Sequence, residues 1–257
     1  MSSGSKDRTI DPRRAGITKR LARIERILVF ASGKGGVGKS ACATAAGLLL
    51  ARRGFRTGLL DLDFQGASDH IFLGTELKFP EEQGGILPTA ASYGLRFMSI
   101  AFFAGEHGVP MRGLELSNAL LEILTVTVWE DLDYLVIDMP PGMGDEVLDL
   151  IQIVNKAEIV LMTSSSTVSS HVVSRFIEFC KRREKPIRGV IENMNRSNPE
   201  NDEPSTGELL ASENDIELIC SIPFYSELET EIGNSELFAA GHFAASLDVG
   251  ISKLLEN

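Results

Sequence analysis

One glycine-rich loop, set between an apolar run and an alanine-rich run, constrains the fold of this 257-residue chain more than any other feature. Residues 33–40 read GKGGVGKS and fit the phosphate-loop pattern G-x-x-x-x-G-K-[ST]. The run 27–30 before the loop is typical of a buried strand, and the run 41–46 after it is typical of the start of a helix. The motif therefore predicts a strand–loop–helix unit within an α/β sheet.

The loop supplies the groups that bind a polyphosphate. Glycines allow backbone N–H groups to turn toward phosphate oxygens, and the N-terminus of the following helix adds partial positive charge. We expect Lys39 to reach the β- and γ-phosphates and Ser40 to ligate Mg²⁺. The residues predicted to contact the nucleotide here are Gly33, Lys34, Gly35, Gly36, Val37, Gly38, Lys39, Ser40 and Ala41.

Short apolar runs alternate with helical patterns along the rest of the chain. This alternation predicts βαβ units, so we expect an α/β fold with a mainly parallel, doubly wound sheet of about seven strands and helices on both faces. The predicted strands are residues 27–31, 57–61, 96–100, 135–138, 159–162, 187–191 and 219–222. The predicted helices are residues 39–53, 114–126, 146–154, 168–183 and 205–212, with an amphipathic segment 242–255 that is expected to dock on the sheet rather than on a membrane.

Composition and charge limit the classes of partner. A net charge of −11 disfavours broad binding to nucleic acid or anionic membranes, and no apolar run reaches the roughly 18 residues of a membrane span. We expect a cytoplasmic protein with one phosphate-loop domain at residues 25–257, because the N-terminus has no signal-peptide core. Residues 1–24 are rich in Lys and Arg and predict a flexible basic segment, with a nucleic-acid arm as the alternative.

Acidic residues stand at the ends of two predicted strands. Asp61 and Asp63 end the second strand and Asp138 ends the strand 135–138, so parallel packing places them at the sheet edge that carries the loop. Carboxylates at this edge suit a magnesium ion and its water ligands, and they can orient an attacking water. Gly142, in the stiff Pro-Pro-Gly turn after Asp138, can offer its N–H to a γ-phosphate.

A second lysine, Lys34, follows the first glycine of the loop, although the loop pattern is complete without it. In this respect the chain resembles the deviant phosphate-loop ATPases, in which that lysine contacts the nucleotide of the partner subunit. The resemblance implies an ATP-dependent homodimer with two nucleotides between the subunits. An exposed lysine beside a charged ligand is the alternative.

The motifs taken together resemble the Mrp family, MinD- and ParA-related ATPases that carry or assemble iron–sulfur clusters. The likeness rests on the phosphate loop, the Asp-x-Asp strand end, the string DMPPGMGD at 138–145 and the string GVIENM at 189–194. It covers roughly residues 27–223, so it implies a phosphate-loop ATPase domain over most of the chain.

The resemblance also implies roles for single residues. Asp63 corresponds to the family's water-orienting aspartate, and Asp61 and Asp138 correspond to its magnesium-site carboxylates. Asn193 resembles the residue that reads the adenine, which suits an amide that can both donate and accept, and Pro223 resembles the loop that flanks the base. The predicted catalytic residues are Lys34, Lys39 and Asp63.

One departure from the family concerns the cluster. Cluster-carrying members have C-P-x-C shortly after Glu-Asn-Met, whereas residues 195–199 read NRSNP here. Cys42, Cys180 and Cys220 are widely spaced and form no C-x-x-C pair, so we expect Cys180 and Cys220 to be buried apolar filler. We therefore expect no iron–sulfur cluster on this chain. A smaller departure is that residues 163–166, TSSS, lack the family's proline.

These features predict an ATP-binding and ATP-hydrolysing dimeric switch with ATP and Mg²⁺ as cofactors. The expected role is metallocofactor assembly or metalloenzyme activation, with a metalloenzyme or its maturation factor as client, and the exposed loop 195–207 is a possible docking site. A positioning or partition ATPase of the MinD/ParA kind is the alternative, and it would need a basic surface or an amphipathic tail. A reductase like the nitrogenase iron protein would need a cysteine pair that the chain lacks.

Overall fold

Eight strands form one sheet in the computed structural model, which describes residues 11–64, 66–104, 114–196 and 203–256. All pairings are parallel except that of the short edge strand β3 with β4. Across the sheet the order is β3-β4-β2-β5-β1-β6-β7-β8. The strands are β1 Ile24–Ser32, β2 Thr57–Asp61, β3 Thr89–Ala90, β4 Arg96–Ser99, β5 Leu132–Asp138, β6 Ala157–Ser164, β7 Ile187–Asn195 and β8 Leu218–Pro223.

Helices connect the strands and cover the sheet. From β1 the chain crosses to β2 in one direction, and from β5 it crosses to β6, β7 and β8 in the other. Because such crossovers are right-handed, the connecting helices fall on opposite faces. The α-helices are α1 Arg13–Leu21, α2 Lys39–Arg52, α3 Asp69–Leu73, α4 Ala101–Ala104, α5 Leu114–Val126, α6 Asp145–Ile153, α7 Thr167–Arg182, α8 Thr206–Asn214, α9 Ser235–Ala240 and α10 His242–Glu256.

The predicted fold class is confirmed, with one strand more than expected. All seven predicted strands are present with small changes at their ends, and the additional strand is β3, only two residues long. A two-residue strand has no recognisable alternation in the sequence, which explains why it was missed. Within the described residues, every helix is too short or too polar to cross a lipid bilayer.

The unit β1–α2 lies at the centre of the molecule. β1 pairs with β5 on one side and with β6 on the other, and its residues 27–31 are all buried. Residues 41–51 of α2 are also buried, because this helix is enclosed between the sheet, α9 and α10. A helix that is apolar on every side requires such a position. The loop between β1 and α2 therefore rests on the buried core of the fold.

The register of three neighbouring strands brings polar residues into one row. Asp138 of β5 is paired with Asp61 of β2, and Asp61 is paired in turn with Ser99 of β4. Side chains at paired positions of parallel strands point to the same face and lie close together. The sheet therefore places both predicted magnesium-site carboxylates side by side, as the spacing in the sequence led us to expect.

The segment before β1 differs from the prediction of a flexible basic segment. Residues Arg13–Leu21 form α1, which packs on α5 with Ile17 and Leu21 buried. Arg20 adds a hydrogen bond from Nε to the carbonyl oxygen of Thr125, at 3.2 Å. Two apolar residues four positions apart are enough to anchor one side of a short helix. Residues 1–10, also predicted to be flexible, lie outside the described residues.

The predicted exposed loop 195–207 is shorter than expected at its C-terminal end. The Ser205 side chain caps α8 by accepting a hydrogen bond from the Glu208 N–H at 3.2 Å, and the Glu208 carboxylate accepts one from the Ser205 N–H at 2.7 Å. This capping box fixes where the helix begins. Residues 197–202 of this loop lie outside the described residues.

The C-terminal helix docks on the sheet, as predicted. Phe243, Leu247, Ile251 and Leu254 of α10 are buried, and the helix packs on β8 and α2. Burying each such side chain contributes about 1.5–3 kcal/mol to stability.

We expect Leu247→Ala to lower the free energy of unfolding by about 2–5 kcal/mol, because it leaves a cavity beneath α10. Val249→Ala is the matched control on the same helix, since Val249 is 61% exposed and Leu247 is 0% exposed. The control should change stability by less than about 0.5 kcal/mol. Urea denaturation of the two variants checks this, and equal losses would contradict the docking of α10.

Candidate functional site

The phosphate loop, residues 33–40, connects the end of β1 to the start of α2. Gly36 and Gly38 have φ angles of 79° and 78°, in the left-handed region that favours glycine. A Cβ atom at Gly38 would also overlap the side-chain amide of Asn193. Both features explain glycine at these positions, and they place a glycine-rich turn at the N-terminus of α2, a location that favours anion binding.

A cavity of about 270 Å³ opens over this loop, near the lower end of the range for small-molecule sites. Most of its wall is the loop itself. The remainder comes from the segment after β2 and from the turn after β5. The lining residues are Ser32, Lys34, Gly35, Gly36, Val37, Gly38, Lys39, Ser40, Ala41, Asp63, Gly66, Ser68, Phe72 and Pro141.

Asp138 binds two side chains of the loop at once. Its Oδ1 atom lies 2.6 Å from Lys39 Nζ, and its Oδ2 atom accepts a hydrogen bond from Ser40 Oγ at 2.7 Å. Asp138 is fully buried and Lys39 is nearly so. Burial alone lowers the pKa of Lys39, but the charge and hydrogen bond of Asp138 more than offset it and hold the pKa above its ordinary value. The lysine is therefore a charged group with little contact with water.

Asp61 lies beside this pair and is fully buried. Its carboxylate accepts hydrogen bonds from the Asp63 N–H at 3.0 Å, from Ser99 Oγ at 3.1 Å and from the Asp69 N–H at 3.4 Å. Burial, reinforced by the negative charge of Asp138, raises the pKa of Asp61 to about 7. Ser99 was not singled out in the sequence, because only the register of β2 with β4 brings it here.

Asp63 lies in the wall of the cavity, unlike Asp61. It lines the cavity and is 9% exposed, and its Oδ1 atom accepts a hydrogen bond from the Gly66 N–H at 3.1 Å. The two aspartates of the Asp-x-Asp segment thus have different environments: Asp61 is enclosed below the loop, whereas Asp63 faces the ligand space. An assignment of water orientation to Asp63 is compatible with this position and stays a prediction.

Asp69 is a fourth acidic residue of the site, and sequence reasoning missed it. It is fully buried at the start of α3, and neither of its carboxylate oxygens has a hydrogen-bond partner among the described residues. Burial first, and then the charges of Asp61 and Asp138, raise the pKa of Asp69 well above its ordinary value. Its position six residues after Asp63 gave no signal, because α3 was not predicted from the sequence.

Lys34 lines the cavity on the side of β6. Its Nζ atom donates a hydrogen bond to Ser166 Oγ at 3.1 Å, in the segment between β6 and α7. This serine belongs to the region where the sequence lacks the expected proline. The second lysine therefore lies at the ligand space of its own chain and is held there by a neighbouring side chain.

Asn193, predicted to read the adenine, makes a different contact in this structure. Its Nδ2 atom donates a hydrogen bond to the Val37 carbonyl oxygen at 3.0 Å, and the side chain is 4% exposed. The amide thus holds the phosphate loop from below, and it does not line the cavity. Pro223 ends β8, is exposed and is likewise outside the cavity wall. The adenine-site roles of both residues stay predictions.

Gly142 and Gly33 lie beside the cavity without lining it. The N–H group of Gly142 donates to the Ser32 carbonyl oxygen at 2.9 Å, so in this structure it ties the turn after β5 to the loop. A Cβ atom at Gly33 would meet the side chain of Val172 at 2.8 Å, which explains a glycine at that position. The predicted contact of Gly142 with a γ-phosphate requires this hydrogen bond to break.

The three cysteines are all free. Cys42 and Cys180 are fully buried, and Cys220 is half-buried. Burial raises the pKa of the Cys42 thiol well above its ordinary value and raises the pKa values of Cys180 and Cys220 to about 12. Each side chain is therefore a neutral thiol at physiological pH, whereas metal and cluster ligation needs thiolates.

Comparison with known proteins identifies a family of P-loop NTPases, in agreement with the phosphate loop of the site. The family described as NUBPL iron-transfer P-loop NTPase, of the ParA group, matches residues 23–255. An iron-sulfur cluster carrier protein of Pseudomonas fragi is 39% identical over 84% of this chain and 79% of its own length. The cytosolic Fe-S cluster assembly factor CFD1 of Kluyveromyces lactis is 32% identical over 94% of this chain and 93% of its own length. Other bacterial carrier proteins match over about 60% of their own length, namely 63% and 59% in two cases.

Solved structures give the same picture. A nucleotide-binding protein from Archaeoglobus fulgidus, determined in complex with ADP, superposes with a TM-score of 0.71 at 29% identity over 90% of this chain and 92% of that chain. The cell division ATPase MinD of Pyrococcus furiosus superposes with a TM-score of 0.66 at 15% identity, covering 90% of this chain and 99% of that one, and so shares the fold.

Without nucleotide and divalent cations, we expect the free energy of unfolding to fall as the pH rises from about 5 to about 7.5. Unfolded Asp61 loses its proton near pH 4, whereas the folded pKa is about 7, so the native state binds more protons in this window and loses stability as the pH rises. The full effect is on the order of 4 kcal/mol.

The variant Asp61→Asn should flatten this slope, because its amide does not titrate. Urea denaturation in EDTA at several pH values measures the slopes. Asp149→Asn is the matched control, since Asp149 is exposed on α6, and it should keep the wild-type slope. Equal slopes in wild type and Asp61→Asn would contradict the assignment.

Proposed function

Because the chain belongs to the family of NUBPL iron-transfer P-loop NTPases, we propose that it is an ATP-hydrolysing dimeric switch in the assembly of iron–sulfur or related metallocofactors. The observation that carries the proposal is the pair of contacts from Asp138 to Lys39 and Ser40 at the base of the loop cavity. The two side chains that a phosphate loop uses for phosphate and Mg²⁺ are thus held ready on one buried carboxylate.

When ATP binds, the partners of the Asp138 carboxylate change. The phosphates bring negative charge to the loop N–H groups and to Lys39, which leaves Asp138 for the β- and γ-phosphates. The donor set of Ser40, Asp61 and Asp138 is all oxygen and suits Mg²⁺, which supplies Lewis-acid charge on the phosphate oxygens when bound. A cation or a hydroxyl faces Asp138 in both states.

Hydrolysis needs a water placed in line with the γ-phosphate. Asp63 is the carboxylate that lines the cavity, so it is the residue placed to accept a hydrogen bond from that water as the water oxygen attacks phosphorus. The bond to the bridging oxygen between the β- and γ-phosphates breaks, and ADP and phosphate leave. Gly142 joins the site when its N–H group gives up its hydrogen bond to the Ser32 carbonyl and donates one to the γ-phosphate instead.

Dimer formation uses Lys34. In the single chain its ammonium is held by Ser166 Oγ at the edge of the cavity, where it can be released toward a second subunit. A lysine that reaches the partner's nucleotide adds positive charge to the transition state only in the closed dimer. The nucleotide state and the shape of the assembly are coupled in this way, which makes the protein a switch.

The client protein, in this proposal, holds the metal. The names of the relatives from Pseudomonas fragi and Kluyveromyces lactis, a cluster carrier and a cytosolic cluster assembly factor, support a role in iron–sulfur assembly and a cytosolic location. This chain has no cysteine in residues 195–204, and its three thiols are buried or half-buried and neutral. Direct carriage of a cluster would require thiolates that these positions disfavour.

A positioning ATPase of the MinD kind receives no such support. The similarity to MinD at 15% identity speaks for the fold alone. The apolar face of α10, which could have lain on a membrane, is buried against β8 and α2.

We expect Lys39→Ala to weaken ATP binding by at least about 100-fold, because charge-assisted hydrogen bonds to two phosphates are lost. Lys34→Ala is the matched variant in the same loop, and it should bind ATP within about threefold of wild type while losing ATP-dependent dimerisation and most of the hydrolysis. Calorimetry, light scattering and phosphate release measure the three quantities. Unchanged ATP affinity in Lys39→Ala would refute the nucleotide site, and a full-rate ATPase in Lys34→Ala would refute the role across the dimer.

We expect anaerobic reconstitution with iron and sulfide to give no stoichiometric cluster, while ATP hydrolysis proceeds without iron. The physical reason is the raised thiol pKa of all three cysteines, which belong to three different elements, α2, α7 and β8. Iron and sulfide analysis with visible absorption spectroscopy measures the outcome. A stoichiometric cluster that disappears on changing any one cysteine to serine would make the chain a carrier.

A further inference from the structure

Three buried carboxylates meet below the phosphate loop. Asp61, Asp69 and Asp138 each place one oxygen within 4.8 Å of the others, and all three residues are 0% exposed. Hard divalent cations bind oxygen at about 2.0–2.6 Å, so ligand oxygens on opposite sides of one ion lie about 4–5 Å apart. The spacing of the three oxygens is thus that of ligands around a single cation.

Asp69 is the member whose environment points to a ligand. Neither of its oxygens accepts a hydrogen bond from any described residue. Thr44 of α2 lies beside it, and its hydroxyl lowers the Asp69 pKa but makes no hydrogen bond of normal geometry. Buried carboxylates are normally paired with donors or cations. Asp61, by contrast, accepts three hydrogen bonds, and Asp138 is bound by Lys39 and Ser40.

Among the described residues, one cation pairs with the cluster. Lys39 forms an ion pair with Asp138, whereas Asp61 and Asp69 form none with a described lysine or arginine, and all three carboxyl groups are buried. Once deprotonated, Asp61 and Asp69 together carry the charge that one divalent cation balances. All ligand atoms are oxygens, with no imidazole or thiolate among them, a set that favours Mg²⁺ or Mn²⁺ over softer metals.

We propose that Asp61, Asp69 and Asp138 form a divalent-cation site that fills without nucleotide, with Asp69 as a ligand. It is a second metal position that shares Asp61 and Asp138 with the magnesium that Ser40 would ligate on a bound nucleotide, whereas Asp69 belongs to the second position alone. Its role follows from the proposed exchange at Asp138. When Lys39 leaves for the phosphates, the cation at this second position remains as the counter-charge for the three carboxylates.

The test is a Mn²⁺ titration of the nucleotide-free protein, followed by electron paramagnetic resonance of free Mn²⁺. Wild type should bind one Mn²⁺ per chain, and Asp69→Asn should bind it at least tenfold more weakly. The control Asp149→Asn, which removes an exposed aspartate, should match wild type. Wild type that binds Mn²⁺ no more tightly than Asp69→Asn would overturn the proposal.

Thermal unfolding in EDTA and in Mn²⁺ gives a second readout. Mn²⁺ should raise the melting temperature of wild type but not of Asp69→Asn, since a ligand stabilises only the state that binds it. If Mn²⁺ has no effect on wild type and Asp69→Asn melts higher in EDTA, Asp69 holds a proton and the site is refuted. Asp61→Asn serves as a second variant should Asp69→Asn fail to fold.

An ATP titration of wild type separates this proposal from the proposed function. ATP binding without nucleotide-independent Mn²⁺ binding would refute the second metal position alone. Mn²⁺ binding in a protein that binds no ATP would support the second metal position and refute the nucleotide switch.

Discussion

The buried contact of Asp138 with Lys39 and Ser40 determines the rest of the site. Removing a carboxylate and an ammonium from water costs several kcal/mol for each ion, and only close pairing with further hydrogen bonds offsets it. Here the ion pair measures 2.6 Å, and Ser40 binds the second oxygen at 2.7 Å. Breaking such a pair without replacing a partner would cost about 3–5 kcal/mol. A ligand that draws Lys39 away from Asp138 must therefore form interactions that offset the cost of breaking this pair.

The sheet explains why this contact is possible. β5 is inserted between β1 and β2, so the end of one strand delivers Asp138 under the loop and beside Asp61. The turn that follows β5 returns to the loop through the Gly142 N–H and the Ser32 carbonyl, at 2.9 Å. One segment thus holds the loop at two points, one ionic and one through the backbone.

Local patterns in the sequence identified the loop, the strand ends and the fold class. They did so because the phosphate loop is a contiguous motif and because parallel strands collect their carboxyl ends at one edge. Ser99, Asp69 and the contact of Asn193 with Val37 were not predicted, since each depends on how distant elements pack. The helix α1 was missed for a related reason. Its only buried anchors are Ile17 and Leu21 in a charge-rich segment, and their contribution appears only once α5 is beside them.

The positions of the carboxylates and the thiols determine which metals the described residues can bind. Three of its buried carboxylates, Asp61, Asp69 and Asp138, meet at one edge of the sheet, where burial favours hard cations and the adjoining loop favours phosphates. Its three thiols belong to three different elements, α2, α7 and β8, in surroundings that keep them protonated. Soft metals need the opposite arrangement, with thiolates paired near a surface. This distribution supports the proposed function, in which the chain changes shape with nucleotide and acts on a metal that another protein holds.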